Sequence, residues 1–218
     1  MTSIIGYYIN LENRGDRREH FENLKKSWPF LSRIKKIVAI ENSDPAYGCC
    51  LSHLRALAGL SISDEPYVAV FEDDFCILNE ENFRGFIQGF ETIKDDPDWD
   101  VVVLTPRGTT IRPLLEDGGC KMEMSGFRRI IDHQTATGYI VKKEFLKILI
   151  ENLAQAAKMQ EEGVDKNISA NDQYWKRLQM NSRFYYYSGI FGGQLPSWSN
   201  IENQWVDYNQ RFRDQINY

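Results

Sequence analysis

The stretch Tyr67-Val68-Ala69-Val70-Phe71-Glu72-Asp73-Asp74-Phe75-Cys76-Ile77-Leu78 decides how this chain is read. Five almost wholly apolar residues come first, then three carboxylates, then apolar residues again. A run that is apolar at successive positions suits a strand covered on both faces of a sheet. Carboxylates this close repel and raise one another's pKa unless a cation or hydrogen-bond donors compensate. Hard divalent cations with oxygen ligands, Mn²⁺ or Mg²⁺, are the natural compensation. The other reading is a solvated acidic turn capping the next element. The apolar residues on both sides weigh against that reading.

Working outward, strands and helices alternate. A β-rich run covers 4–11, and a charged, helix-prone stretch covers 16–27, halted by Pro29. A second strand is expected over 34–40. Pro45 opens a helix over 46–62, with Leu51, Leu54, Leu57 and Ala58 at helical spacing. Beyond the carboxylates come a helix over 81–93, a buried strand over 99–104 and a short strand over 138–141. An amphipathic helix follows over 143–159, its apolar face made of Leu146, Leu149, Ile150, Leu153 and Ala157. A shorter helix over 170–179 precedes a Tyr-rich strand over 184–188. This order predicts an α/β fold with a mainly parallel central sheet and helices on both faces. In such sheets ligands sit at the carboxyl ends of the strands.

Composition sets the outer bounds. The chain has 218 residues, 42% hydrophobic and 26% charged, as a folded protein does, and its length suits one domain over 1–218. A net charge of −5 counts against nucleic acid as a partner. No run of about 20 apolar residues is present, so no transmembrane segment is expected. The first residues lack the pattern of a secretory leader. Cysteines stand at 49, 50, 76 and 120 with no CxxC pair, which suggests reduced thiols and a cytoplasmic location.

Five further constellations carry chemistry. Asn10-Leu11-x-x-Arg14-x-Asp16-Arg17-Arg18 follows the first strand. Arginines at a helix start oppose the macrodipole and suit an anionic ligand, although Asp16, Glu19 and Glu22 would also balance them on a solvated face. Gly48-Cys49-Cys50-Leu51-Ser52-His53 offers a close backbone approach and two polar side chains, or simply a helix start. In His133-Gln134-Thr135-Ala136-Thr137-Gly138-Tyr139, His133 is either a ligand-contacting group or a satisfied structural histidine. Asp172, in Ser169-Ala170-Asn171-Asp172-Gln173, is placed to be a general base, yet Ser169-x-x-Asp172 also has capping-box spacing. The aromatic, nearly charge-free region over 184–205 holds Trp198 and Trp205, whose rings suit stacking on sugars or packing at a domain edge.

Taken in order, Tyr8-Ile9-Asn10-Leu11-x-x-Arg14-x-Asp16-Arg17, Gly48-Cys49-x-x-Ser52-His53-Leu54, Phe71-Glu72-Asp73-Asp74 and Thr137-Gly138-Tyr139-Ile140-Val141 resemble the family-25 glycosyltransferases. That family includes lipooligosaccharide and collagen hydroxylysine galactosyltransferases. The resemblance runs over about 4–202. It implies a GT-A-like nucleotide-sugar-binding fold, a UDP-sugar donor, Mn²⁺ dependence, inversion at the anomeric carbon and a glycan or glycosylated acceptor. It further implies that Glu72 and Asp74 hold the metal. Asn10, Arg14 and Arg17 would then lie near the nucleotide; with them, Leu11, Ser52, His53, Asp73 and Gln134 are expected at the donor and Asp172 is expected to be the catalytic base. On this view 1–105 forms the donor part and 106–218 the acceptor part. Ser199-Asn200-Ile201 departs from the Ser-Asp-Ile that members often carry. Two other classes remain open: a metal-dependent phosphoesterase using the same carboxylates, and a non-catalytic carbohydrate-binding protein using the aromatic region.

Overall fold

The computed structural model describes residues 3–107, 121–199 and 201–209. Cys120 and Asn200 therefore lie outside the described residues. The elements run β1 (Gly6–Asn10), α1 (Gly15–Ser27), β2 (Ile34–Val38), α2 (Pro45–Ser61), β3 (Tyr67–Glu72), β4 (Phe75–Ile77), α3 (Glu80–Ile93) and β5 (Val101–Val103). They continue with α4 (Lys121–Met124), β6 (Phe127–Arg129), β7 (Gly138–Lys142), α5 (Leu146–Glu161), α6 (Lys166–Ser169), α7 (Asn171–Tyr174), α8 (Lys176–Gln179), β8 (Phe184–Tyr187), β9 (Gly192–Gln194), β10 (Ser197–Ser199) and β11 (Gln204–Val206).

Seven strands form the central sheet in the order β2-β1-β3-β7-β5-β8-β6. Strands β1, β2, β3, β5 and β8 point one way, and β7 and β6 run against them. The mainly parallel α/β sheet read from the sequence is the one observed. The antiparallel strand in its middle matters for the site. It pairs Phe71 with Gly138, so β7 brings its first residue, and the loop before it, to the carboxyl end of β3.

The apolar run of β3 behaves as its composition requires. Val68, Ala69, Val70 and Phe71 are fully buried. Ala69 and Phe71 enter one core with Tyr8, Phe21 and the Phe83, Phe86 and Phe90 face of α3. Val68 and Val70 enter the other, with Leu57 and Leu60 of α2 and Leu149 and Leu153 of α5. Period-two alternation thus splits one strand between two helical layers. Two of these helices have clear local causes. Asp44 caps α2 by accepting from the backbone N–H groups of Ala46 and Tyr47, and Pro45 opens its first turn. Asn79 caps α3 through the N–H of Asn82.

Three differences from the sequence reading stand out. The helix expected over 170–179 is two short helices, α7 and α8, broken at Trp175. The indole of that residue is buried against Tyr139 and Phe184, and this tertiary packing overrides a continuous helix. The capping box is absent: Ser169 ends α6, and its Oγ donates back to Val164 and Asp165 carbonyls. The β4–β9 pair and the β10–β11 hairpin have no counterpart in the hydrophobic pattern. No helix among the described residues is long and apolar enough to cross a membrane.

Candidate active site at the carboxyl end of β3

A cleft of about 350 Å³ opens at the carboxyl ends of β1, β2 and β3. Glu72, Asp73 and Asp74 line it, together with Arg14 just before α1, Arg17 in its first turn and Asp172 from α7. Asp73 and Asp74 form the turn between β3 and β4 and are 6% and 7% exposed, so this acidic turn is buried rather than solvated, while Glu72 is partly exposed.

One guanidinium serves two of these acids. Arg17 Nη1 stands 2.9 Å from Asp73 Oδ1 and 3.2 Å from Asp74 Oδ2. Its other terminal nitrogen donates to Ser197 Oγ and reaches the Trp198 carbonyl. Asn10, fully buried, donates from Nδ2 to Asp73 Oδ2 at 2.7 Å and to the Arg14 carbonyl. Arg14 is itself paired with Asp16. Leu11, Arg14 and Arg17 face the cleft, while Asn10 supports Asp73 from below.

Glu72 is held differently. Its Oε2 accepts from Thr137 Oγ1 at 3.2 Å. Its Oε1 lies 3.3 Å from His53 Nε2 and 3.7 Å from Cys49 Sγ. His53 is buried, with Nδ1 against the Tyr139 hydroxyl. Ser52 is buried in the cleft wall, donating to the Gly48 carbonyl and accepting from the Ile40 N–H. Gly48 is small for a structural reason, since a Cβ there would come within 2.7 Å of the Ile40 carbonyl oxygen. Gln134 is turned toward α7 and α8, where it accepts from Gln173 and Lys176. Ser52, His53 and Gln134 thus all spend polar atoms on the protein itself.

His133 takes the structural role. It is wholly buried, its Nδ1 accepts from the Arg107 N–H and its Nε2 contacts the Thr135 carbonyl. Burial pushes its pKa down to about 3, so the ring is neutral.

The electrostatics follow from three acids and one guanidinium in a dry corner. Burial, then repulsion from Glu72 and Asp73, pushes Asp74 up to about 7 despite Arg17. Asp73 is raised by burial against the pull of Arg17 and Asn10. Glu72 moves the other way, because His53 and Thr137 outweigh its own burial. Asp172 is raised by burial and by Glu72, with Arg107 opposing.

Unfilled hydrogen-bonding capacity gathers here. Among the described residues, buried polar atoms without a partner include Arg17 Nε, Asp74 Oδ1, Arg107 Nε, Thr135 Oγ1 and Gln194 Oε1, all on cleft-lining residues. Such groups are completed in native proteins by water, an ion or a ligand. Thr135 also holds a φ of +115°, a strained value for an L side chain. The Asp74 oxygen fits a hard cation.

Arg107 was not singled out in the sequence. It follows β5 at its carboxyl end, so the strand-end rule pointed to it. Trp198 lines the cleft as part of β10, and Trp205 is its cross-strand partner on β11.

No known family's sequence profile matches the chain, and no curated protein matches it. Solved structures similar to it include a glycosyltransferase involved in glycosylation of the major capsid of PBCV-1, at 10% identity and TM-score 0.47, covering 98% of this chain and 92% of that one. UDP-glucose pyrophosphorylase complexed with UDP-glucose gives 10% identity and TM-score 0.46, covering 97% and 80%. Mannose-1-phosphate geranyltransferase from Thermus thermophilus gives 14% identity and TM-score 0.40; the match covers 91% of this chain and spans 64% of the Thermus protein. At such identities the likeness says nothing about which side chains do the chemistry.

Proposed function

We propose that the chain is a metal-dependent inverting glycosyltransferase of GT-A type. It moves a hexose, galactose or glucose, from a UDP-sugar to a hydroxyl of a glycan or glycosylated acceptor. The observation that carries this reading is the Glu72-Asp73-Asp74 triad, with Asp73 and Asp74 buried and Asp74 Oδ1 without a protein partner, sharing one cleft with Arg14, Arg17 and Asp172. The order of motifs that resembles family-25 glycosyltransferases supports it.

In this reading Asp74, with Glu72 or Asp73 assisting, holds Mn²⁺ or Mg²⁺. Such an ion, when bound, supplies positive charge beside the departing diphosphate. The protein's own groups do the rest. Arg14 and Arg17 bind donor phosphate oxygens through their forked N–H groups. Asp172 takes the proton of the acceptor hydroxyl as that oxygen attacks the anomeric carbon from the face opposite UDP. Burial raises its pKa, which makes the carboxylate a stronger base.

The test is a thermal-shift screen of UDP, UDP-galactose and UDP-glucose with and without Mn²⁺. Ligand that binds the folded chain raises the midpoint with its concentration. A midpoint shift that requires both nucleotide and Mn²⁺ is expected. Sugar binding that is indifferent to chelator would favour a carbohydrate-binding protein instead.

A further inference from the structure

At the edge of the carboxylate corner, Cys49 and His53 bring two further donor atoms to Glu72. Cys49 and His53 are four residues apart on α2, one helical turn, so both side chains reach the same neighbour. That neighbour is Glu72. Cys49 Sγ and His53 Nε2 lie 3.7 and 3.3 Å from Glu72 Oε1, and the three atoms fall within 4.8 Å of one another. Donors sharing a tetrahedral ion at bonds of about 2.0–2.3 Å stand roughly 3.3–3.8 Å apart. Both distances to Glu72 already match that spacing.

Each donor is also braced on its far side. The Tyr139 hydroxyl meets His53 Nδ1 at 3.2 Å, leaving Nε2 to face inward. Thr137 Oγ1 donates to the other Glu72 oxygen. Asn171 Nδ2 approaches Cys49 Sγ at 3.9 Å. Outer partners of this kind orient metal ligands and tune their basicity. The open side faces the cleft, because Cys49 and Glu72 line it and His53 lies behind.

We propose that Cys49 Sγ, His53 Nε2 and Glu72 Oε1 form a site for a thiophilic divalent cation of the zinc class, with its fourth position open to the cleft. Sulfur and imidazole select such an ion over Mn²⁺ or Mg²⁺, which prefer all-oxygen ligands. Binding displaces the thiol proton to solvent. The site is separate from the hard-cation position at Asp74, and its occupancy crowds the donor cleft.

Co²⁺, a spectroscopic substitute for Zn²⁺, tests this on the full chain. Titration is expected to give a near-ultraviolet thiolate-to-cobalt band that saturates at one equivalent and vanishes on adding Zn²⁺. The band should be lost in Cys49→Ser, and His53→Gln should weaken Co²⁺ binding at least about tenfold. Asp74→Asn should leave the band intact. Melting curves without metal check that each variant is folded, and Cys49→Ala replaces the serine variant if it is not. No band, a band that survives loss of Cys49, or a band lost equally in Asp74→Asn overturns the proposal. The first outcome identifies the cluster as a hydrogen-bond network, the second moves the signal to another cysteine, and the third reduces the two sites to one. None of these outcomes depends on nucleotide-sugar binding.

Discussion

The carboxylate corner and the tryptophan hairpin border the same cleft, yet they are built on opposite terms. At the corner, Asp73 and Asp74 are almost fully buried, locked to Arg17 and Asn10. Along the hairpin, Trp198 and Trp205 are cross-strand partners and are 49% and 66% exposed. The corner is prepared before any ligand arrives, and charged groups are fixed there at an electrostatic cost. The hairpin offers unfilled apolar surface to whatever enters. Fixed charge suits the phosphate-bearing end of a donor, which is the same for every acceptor. Exposed indole suits a variable sugar face.

Substitutions on the two sides should separate cleanly. The largest effect is expected from Asp74→Ala, which should abolish both transfer and Mn²⁺-dependent UDP binding by calorimetry; retained binding would place the metal elsewhere. Next comes Asp172→Asn. Turnover should fall about 10²–10⁴-fold, as for loss of a general base, while the UDP-induced midpoint shift stays. Unchanged turnover would leave Asp172 a wall residue.

The third effect is on stability and pH. The Asp74 carboxyl lies up at about 7 in the folded chain against 3.8 ordinarily. Between those values the unfolded chain releases a proton that the folded chain keeps. This group therefore makes stability fall as pH rises from about 4 to about 7, with no further loss above. Chemical denaturation in chelator should show that slope, and Asp74→Asn should flatten it and raise stability at pH near 7.5. The smallest effect is expected from Trp205→Ala. Stability should change by under about 0.5 kcal/mol, as for a surface site, and UDP binding not at all. Acceptor KM should rise several-fold. A loss of donor binding would join the hairpin to the corner and break the contrast.

The two regions also differ in how far the chain announces them. β3 and its carboxylates were legible because an apolar run that ends in three acids suits a buried strand opening onto a polar site and little else. The helices α2 and α5 were legible from their spacing. What joined Glu72 to His53, or Arg17 to Asp73, was not, because those meetings depend on sheet order and on the antiparallel entry of β7. The Ser169–Asp172 spacing misled for a related reason. Local capping logic cannot see Trp175 being drawn into the core. The three-residue strands β9 to β11 carry too few residues for a period to show. Gly192 and Gly193 in β9 instead reflect close approach, since a Cβ at Gly192 would lie 2.2 Å from the Leu104 carbonyl oxygen. The cleft draws its walls from both halves of the chain, so donor and acceptor parts at 1–105 and 106–218 would meet across it rather than lie side by side.

The contact from Arg17 to Ser197 spans 180 positions. Residues that far apart meet late in folding, because a long loop must close before the contact rewards it. During synthesis the carboxylates and Arg17 emerge long before Ser197 exists, so the nascent chain holds an unfinished corner. Closing the hairpin over Arg17 is then the step that seals it. A chain that stalls or is cut before β9 would keep its first strands and helices but present open acids, unpaired edges and bare aromatic surface to the quality-control machinery of the cell.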